Sequence, residues 1–329
     1  MGLLPSASVI IPTYNRKEWL HQTLTSLVRQ TCSPDRFEVI VVDDGSTDGT
    51  FEITNESFPF TLRYLRQTNQ GDAEARNLGA RHSQAEILIF LDDDIILEPN
   101  YLTYILQAHK SYRNRIVVGT EFLWLNDSTP LSHVFDFQIP VDNQKLIKIP
   151  FAEVCSNNMS IRREDYFAMG MMQGLDFPGS SIWCDVDFTY RAYRQGFEFV
   201  RSPRAICWHL DHVAKSLDNR KNRMREAAYR SVRLFQKYPD LIHYLPMFSD
   251  KTPINVRRDS LDLIVRKLLR RLASSRVTLW IMESLAGSVQ RLNPSSSLLE
   301  KLHRWIIGGQ IFRGYRQGLR EVGLVKERE

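Results

Sequence analysis

The run Ile87-Leu88-Ile89-Phe90-Leu91, followed at once by Asp92-Asp93-Asp94, constrains the fold of this chain more than any other stretch. Five consecutive apolar residues, two of them β-branched, predict a central strand buried on both faces. The three carboxylates that follow have no Lys or Arg beside them. Adjacent like charges repel, and desolvating them together is costly unless a cation compensates. A strand that carries such a cluster to a sheet edge suits a hard divalent ion. Mg2+ or Mn2+ would be held by one or two carboxylates, with substrate phosphates and water completing the shell. Taken alone, the triplet fits a solvated acidic turn or a helix N-cap equally well. The flanking chain has to decide.

Upstream, Val9-Ile10-Ile11 reads as a short buried strand stopped by Pro12, with Thr13-Tyr14-Asn15 as a loop. Asn15 is the expected N-cap of a helix to about Gln30, whose apolar residues Leu20, Leu24 and Leu27 recur at helical spacing. Phe37 to Val42 predicts a second strand running into Asp43-Asp44-Gly45-Ser46-Thr47-Asp48, a cap sequence expected to open another helix. Leu62 to Leu65 is a third strand candidate, a helix follows from Asn69 through Ala80, and another runs from Pro99 to His109 after the acidic triplet. This alternation predicts a doubly wound, mostly parallel α/β sheet, in which ligands bind beyond the carboxyl ends of the strands. The loops Thr13-Tyr14-Asn15, Asp43-Asp44 and Asp92-Asp93-Asp94 then share one edge.

Further on the pattern weakens. Residues 116–150 give only short strands and loops. Val154 to Ile161 reads as a strand carrying Asn157 and Asn158, and Gly170 to Ser181 as a loop. A helix starts near Asp185 and ends at Gly196; Phe197 to Val200 is expected as an edge strand, and Ala205 to His209 closes the domain. This divides the chain into a catalytic-type domain over 1–212 and a helical region over 213–329. Charge supports the division: residues 213–329 hold 24 Lys+Arg against 11 Asp+Glu, a net of +13, whereas the remainder is −8. A basic tail suggests an anionic counterpart. Within it, Leu261, Ile264, Val265, Leu268, Leu269 and Leu272 form one stripe with arginines elsewhere, as in a helix lying on an anionic membrane surface. That apolar stripe favours a membrane or partner helix over nucleic acid.

The four cysteines are widely spaced, which argues against a zinc site or disulfide framework and suits a reducing cytosol. No secretory signal is expected, because the strand pattern begins at Ser8. The opening Met1-Gly2 matches a myristoylation pattern too short to weigh. The longest apolar region, Val277 to Val289, is interrupted by Glu283 and is too short to span a bilayer.

A cation on the aspartates would neutralise a diphosphate. A carboxylate such as Asp44 accepts from a ring N–H or a ribose hydroxyl, and Arg76 is a planar donor for a phosphate or base edge. Neither a Walker loop nor a GxGxxG follows the first strand, which disfavours ordinary kinases and dehydrogenases. A nucleotide-diphosphate donor remains. Transfer from it needs a base, and Asp185, beside Trp183, is the candidate; on spacing alone an N-cap aspartate fits it nearly as well. Asp187 reads as a first-turn acid. His209 and the pair Asn157 and Asn158 suit either structural or ligand-binding roles.

Four motifs, Ser8-Val9-Ile10-Ile11-Pro12-Thr13-Tyr14-Asn15-Arg16, Val41-Val42-Asp43-Asp44-Gly45-Ser46-Thr47-Asp48, Ala75-Arg76-Asn77-Leu78-Gly79 and Phe90-Leu91-Asp92-Asp93-Asp94, appear in order. Together they resemble the family 2 glycosyltransferases of the GT-A fold over roughly residues 7–212. The resemblance implies an inverting, metal-assisted transferase using a nucleotide-diphosphate sugar, most often UDP-linked, and a glycan or lipid-linked acceptor. It implies donor-binding roles for Pro12, Thr13, Tyr14, Asp44, Arg76, Asp92 and Asp93, with Asp94 and His209 at the Mg2+ or Mn2+ ion. Trp183-Cys184-Asp185 looks like the family's Glu-Asp motif, so Asp185 inherits the base; Asn157, Asn158 and Trp183 fall on the acceptor side. Cys184 stands where the family usually has Glu, which leaves acceptor positioning open. The expected setting is cytoplasmic, peripheral on the membrane through the basic helices. A nucleotidyltransferase, a receiver domain and a non-catalytic nucleotide-sugar-binding protein are the competing readings on a similar sheet.

Overall fold

The computed structural model describes residues 4–110, 112–123, 132–133, 145–174, 182–210, 216–293 and 296–324. The initial Met1-Gly2 and the second part of the Gly170 to Ser181 loop lie outside the described residues, as does most of 124–144. The chain divides into two compact units, Met1–Asp211 and His212–Glu329.

In the first unit, β1 (Ala7–Thr13), β2 (Phe37–Asp43), β3 (Thr61–Arg66) and β4 (Ile87–Leu91) pair in parallel in the order β3-β2-β1-β4. Every residue of β1, β2 and β4 is buried, as their unbroken apolar runs require in a sheet covered on both faces. Helices α1 (Lys17–Val28), α2 (Asp72–His82) and α3 (Tyr101–His109) flank it, and Leu20, Leu24, Leu102 and Ile105 join Val9, Val39 and Ile89 in one core. Helix α2 packs close: a Cβ on Gly79 would meet the Ile10 side chain.

Beyond β4 the sheet becomes mixed. After β5 (Ile95–Leu97) and β6 (Arg115–Leu123) come two short strands, β7 (Ser132–His133) and β8 (Ile147–Lys148), then β9 (Asn158–Arg162) and β10 (Glu198–His209). The order continues β4-β9-β6-β10-β5, with β9 antiparallel to both neighbours and β10 parallel to β6. Helices α4 (Arg163–Ala168) and α5 (Cys184–Arg194) complete this half. The doubly wound α/β architecture is the one the alternation predicts.

Several local expectations are corrected. Asn15 does not cap α1: it is left-handed (φ 53) and its Oδ1 accepts from Thr47 N at 2.7 Å, leaving Arg16 to begin the helix. No α-helix follows β2, because Gly45 and Gly49 take positive φ and the Asp43 carboxylate accepts from Ser46 N at 2.7 Å; only a 3-10 segment, Thr50–Asn55, forms. The segments expected as an edge strand and a closing strand are one strand, β10, with an irregularity between Arg201 and Ile206, and it lies inside the sheet. The strand expected from Val154 starts at Asn158.

Asn158 is only 3% exposed and faces inward. Its Oδ1 accepts from Gly119 N at 3.1 Å and from the Tyr101 hydroxyl, and its Nδ2 lies 3.2 Å from Cys207 Sγ. The Asn158 amide thus joins β9, β6 and β10 to α3.

In the second unit, α6 (Leu217–Lys237) packs along α9 (Ser297–Glu321), with α7 (Leu261–Ala273) and α8 (Arg276–Leu292) beside them. Gly314 and Gly318 let the backbones touch, since a Cβ at either would overlap a carbonyl of α6, that of Arg225 or Tyr229. Ala286, Leu299, Leu302 and Ile306 form a small core. The predicted stripe on α7 is present but turned outward: Leu261, Val265, Leu268, Leu269 and Leu272 are exposed, while Lys267 is buried on Asp259 at 2.6 Å. Among the described residues no helix is long and apolar enough to cross a membrane.

Replacing Asn158 with Ala leaves the buried Tyr101 hydroxyl and Gly119 N–H without their acceptor. Urea unfolding of Asn158→Ala is expected to show a loss of about 2–4 kcal/mol; a wild-type midpoint with altered acceptor KM would contradict the structural role.

Candidate active site

Strands β1, β2 and β4 run parallel, so Thr13, Asp43-Asp44 and Asp92-Asp93-Asp94 leave the sheet at one edge, as expected. Strand β10 ends at the same edge. His209 pairs with Ile95, and Leu210 N donates to Asp94 O at 3.0 Å. The last residue of one strand and the acidic turn of another are thereby stitched together across 115 positions of sequence.

A continuous polar chain results. Thr13 Oγ1 donates to Asp93 Oδ2 at 2.8 Å. The Arg16 guanidinium spans Asp93 Oδ1 at 3.0 Å and Asp94 Oδ2 at 2.6 Å. His209 Nε2 lies 3.3 Å from Asp94 Oδ1, and its Nδ1 is 2.8 Å from Glu121 Oε1. Asn157 Nδ2 donates to Glu121 Oε2 at 3.0 Å. Asp93 and Asp94 are each 3% exposed. Burial pushes the Asp93 carboxyl up to about 7, reinforced by Asp94 and opposed by Arg16. Burial acts on Asp94 in the same sense, but His209 and Arg16 outweigh it and hold Asp94 below the usual carboxylate range. His209, despite its burial, is raised well above an ordinary imidazole by Asp94 and Glu121.

The residues present fit a divalent cation. Asp94 Oδ1 is buried without a hydrogen bond and faces the His209 ring nitrogen. Glu121 on Nδ1 fixes the ring orientation that leaves Nε2 to coordinate. Among the described residues no three His, Cys, Asp or Glu side chains converge into a protein-only metal cage. Two protein donors suit Mg2+ or Mn2+, whose remaining positions go to phosphate and water.

Beside the aspartates lies an open cavity of about 190 Å³, lined by Pro12, Thr13, Tyr14, Arg16, Asp44, Asp72, Arg76, Asp92 and Asp93. Tyr14, 47% exposed, stands at it as an aromatic surface. Asp44 is largely occupied by its own surroundings: it accepts from Gln67 Nε2 at 2.7 Å and from the backbone N–H of Gln70 and Gly71, each at 2.8 Å. Arg76 is 1% exposed and paired with both Asp72 and Asp92, so its charge is balanced by carboxylates within the wall.

Asp185 stands in the first turn of α5 after Trp183, which takes a left-handed conformation (φ 71) unusual for so bulky a residue. Burial pushes Asp185 up to about 6, with Val186 N–H and Arg76 opposing and Asp72 reinforcing. Its coupling to Arg76 and Asp72, both in the cavity wall, puts it within electrostatic reach of the cavity. Asp187 is fully buried and holds Arg191 at 2.9 Å, which donates to Met171 O at 2.7 Å. Cys184 is buried, its thiol raised by that burial, so the position that would carry a polar acceptor contact is part of the interior.

Arg16 and Glu121 were not among the expected site residues. Arg16 closes the first motif and could have been found there. Nothing in the sequence near Glu121 marks it, because its partner is 88 positions away.

The chain matches the family described as Glycosyl transferase family 2 over residues 8–167. It is 41% identical over 214 residues to glycosyltransferase AglE of Haloferax volcanii, a match covering 63% of this chain and 67% of that protein. It is 46% identical over 110 residues to validoxylamine A glucosyltransferase of Streptomyces hygroscopicus subsp. limoneus, covering 32% of this chain and 24% of the relative, so the match spans about a quarter of that relative's length. The mannosyltransferase PcManGT from Pyrobaculum calidifontis, solved in complex with GDP-Man and Mn2+, superposes with a TM-score of 0.61 at 17% identity, covering 97% of this chain and 88% of that one. At that identity the superposition shows a shared fold. With its four motifs converging at one sheet edge and a relative matched over two thirds of its length, the chain belongs to the family 2 glycosyltransferases.

Proposed function

We propose that this protein is an inverting glycosyltransferase that moves a sugar from a nucleotide-diphosphate donor, UDP-linked in the reading favoured here, to a hydroxyl of a glycan or lipid-linked acceptor. The observation that carries it is the run of buried contacts from Thr13 through Asp93, Arg16, Asp94 and His209 to Glu121, beside a cavity whose wall residues Arg76 and Asp72 act electrostatically on Asp185. Tyr14 and Pro12 offer the base a flat apolar wall. Asp44, with most of its acceptor positions filled, holds the loop over that wall and keeps one position for a ring N–H. Asp92 and Arg76 supply a rigid charged rim.

When bound on Asp94 and His209, a divalent cation neutralises the charge that develops on the departing diphosphate. Arg16, which bridges Asp93 and Asp94 and lines the cavity, would supply a positive charge to a donor phosphate. Asp185 removes the proton of the acceptor hydroxyl. The freed oxygen forms its bond to the anomeric carbon as the bond from that carbon to the diphosphate oxygen breaks, with inversion. A carboxyl raised to about 6 is well matched to this work, because it is ionised near neutrality and still basic. A nucleotidyltransferase would need a basic loop after β1 for phosphate attack, and Thr13-Tyr14-Asn15 is not one.

The second unit, in this reading, attaches to an anionic membrane surface. Leu268, Leu269 and Leu272 on α7 and Val277, Trp280 and Ile281 on α8 are exposed in a region of high positive charge. Co-sedimentation with phosphatidylglycerol-containing vesicles should recover the wild type in the pellet and leave Leu268→Glu with Leu272→Glu in the supernatant; equal recovery of both contradicts membrane attachment.

Transfer should fall as pH drops through about 6, as Asp185 takes up a proton, and Asp185→Asn should abolish turnover while donor binding persists. The same group sets a stability trend. Its folded pKa lies above the unfolded value of 3.8, so the penalty of burying the carboxylate is full above about pH 6 and absent below 3.8. Asp185→Asn is therefore expected to be more stable than wild type by about 1–3 kcal/mol at pH 8, with the gap closing in acid. A gap independent of pH would place Asp185 in solvent.

For the metal, Glu121→Gln should raise the Mn2+ concentration needed for half-maximal thermal protection in the presence of UDP about ten- to a hundredfold, since the His209 ring loses its anchor. Asp94→Asn should remove metal-dependent protection altogether. Unchanged protection in both would exclude Asp94 and His209 as ligands.

A further inference from the structure

In the second unit, the first turn of α8, the C-terminal end of α7 and one face of α6 and α9 enclose a cleft of about 610 Å³ that the transfer reaction does not use. Six arginines line it: Arg225, Arg271, Arg276, Arg313, Arg316 and Arg320. Among the described residues none of the six forms an ion pair with a carboxylate. Several other basic groups of the same unit are paired: Lys221 with Asp218 and Glu283, Arg230 with Glu226, Lys267 with Asp259, and Arg270 with Asp250. No Asp or Glu lines the cleft itself, although Glu283 acts on Arg313 from nearby.

The architecture forces these charges together. Gly314 and Gly318 bring α9 against the α6 backbone at Arg225 and Tyr229, so Arg313 comes close to Arg225, and Arg316 and Arg320, on adjacent turns of α9, line the same cleft. The turn at Ser274 and Ser275 adds Arg271 and Arg276 from opposite sides. Arg225 Nη2 is braced on Gln317 at 2.9 Å, and Arg316 lies over the Phe312 ring. Like charges held this close repel, and both Arg313 and Arg316 are lowered from their ordinary range, by burial first and by neighbouring arginines second, with Glu283 opposing at Arg313. Such an arrangement is unfavourable until an anion joins it. Several planar forks aimed at one space match an anion with many acceptor oxygens, which a single carboxylate does not provide.

We propose that this cleft binds a phosphate or diphosphate group, at a site separate from the donor cavity. The group would be carried either by a free small molecule or by a lipid headgroup. The cleft volume suits a small-molecule site, and its floor, Phe312, is apolar. The site needs neither the donor-site metal nor the membrane attachment proposed above.

The test uses the full chain in EDTA, which suppresses metal-dependent binding at the donor cavity. Inorganic pyrophosphate titrated calorimetrically reports the free source; flotation with phosphatidylcholine vesicles, with and without about one fifth phosphatidic acid, reports the headgroup source. Arg313→Gln with Arg316→Gln is expected to weaken binding about tenfold or more in at least one arm. Its Mn2+-dependent protection by a nucleotide sugar should be unchanged. Because the double substitution removes repulsion, its melting temperature should equal or exceed that of wild type. Arg271→Gln with Arg276→Gln, at the turn, provides a second pair should the first fail to fold. Loss confined to pyrophosphate assigns a free phosphate compound, and loss confined to phosphatidic acid vesicles assigns a lipid headgroup. Wild-type binding by the folded variants in both arms, or no binding by wild type in either, overturns the proposal.

Discussion

Three adjacent aspartates at the end of a buried strand would drive the sheet edge apart unless their charge is balanced, and the first unit is arranged around that balance. Arg76 answers Asp92 from α2, Arg16 answers Asp93 and Asp94 from the start of α1, and His209 answers Asp94 from the end of β10. Each cation comes from a different element. Neutralising the triplet therefore also ties the start of α1, the body of α2 and the end of β10 to one place. Desolvation explains why the contacts are so close: at 3% exposure a carboxylate without a partner would be costly, and the outcome is one carboxyl raised, one lowered and an imidazole raised.

This balance also accounts for the chemistry. In the proposed reaction one of these side-chain cations would give way to a metal ion on carboxylates that are already buried together. Glu121 and Asn157 extend the arrangement one step further, orienting the ring of His209 from behind. Cys184 is the point at which the site departs from its family. The thiol there is buried, whereas the resemblance implies an acid at that position.

The second unit solves a different problem. Close contact between α6 and α9 relies on glycines that permit backbone approach. The apolar stripe of α7, read from its periodicity as a membrane or partner-helix face, is exposed, and Lys267 is inside on Asp259. An amphipathic pattern specifies that a helix has two faces; which one meets the protein depends on what else is available to cover it. Here the positive charge is concentrated as well, in paired and unpaired arginines whose difference emerges only when the helices are assembled.

Much of the first unit was legible along the chain. Unbroken apolar runs at Val9, Val39 and Ile87 made buried strands, and strand polarity alone sent Thr13, Asp44 and Asp92-Asp93-Asp94 to one edge, because in parallel strands all carboxyl ends lie together. What periodicity could not supply was strand order. The insertion of β9 and β6 between β4 and β10 is a long-range pairing with no local signature. It turned Asn158 into an interior brace and brought Glu121 behind His209. Local pattern reports which face of an element is apolar and where it stops. Which distant charges come to share a space is a property of the assembled sheet and helices, because that choice minimises buried unpaired charge over the whole fold, one segment at a time being too little to settle it.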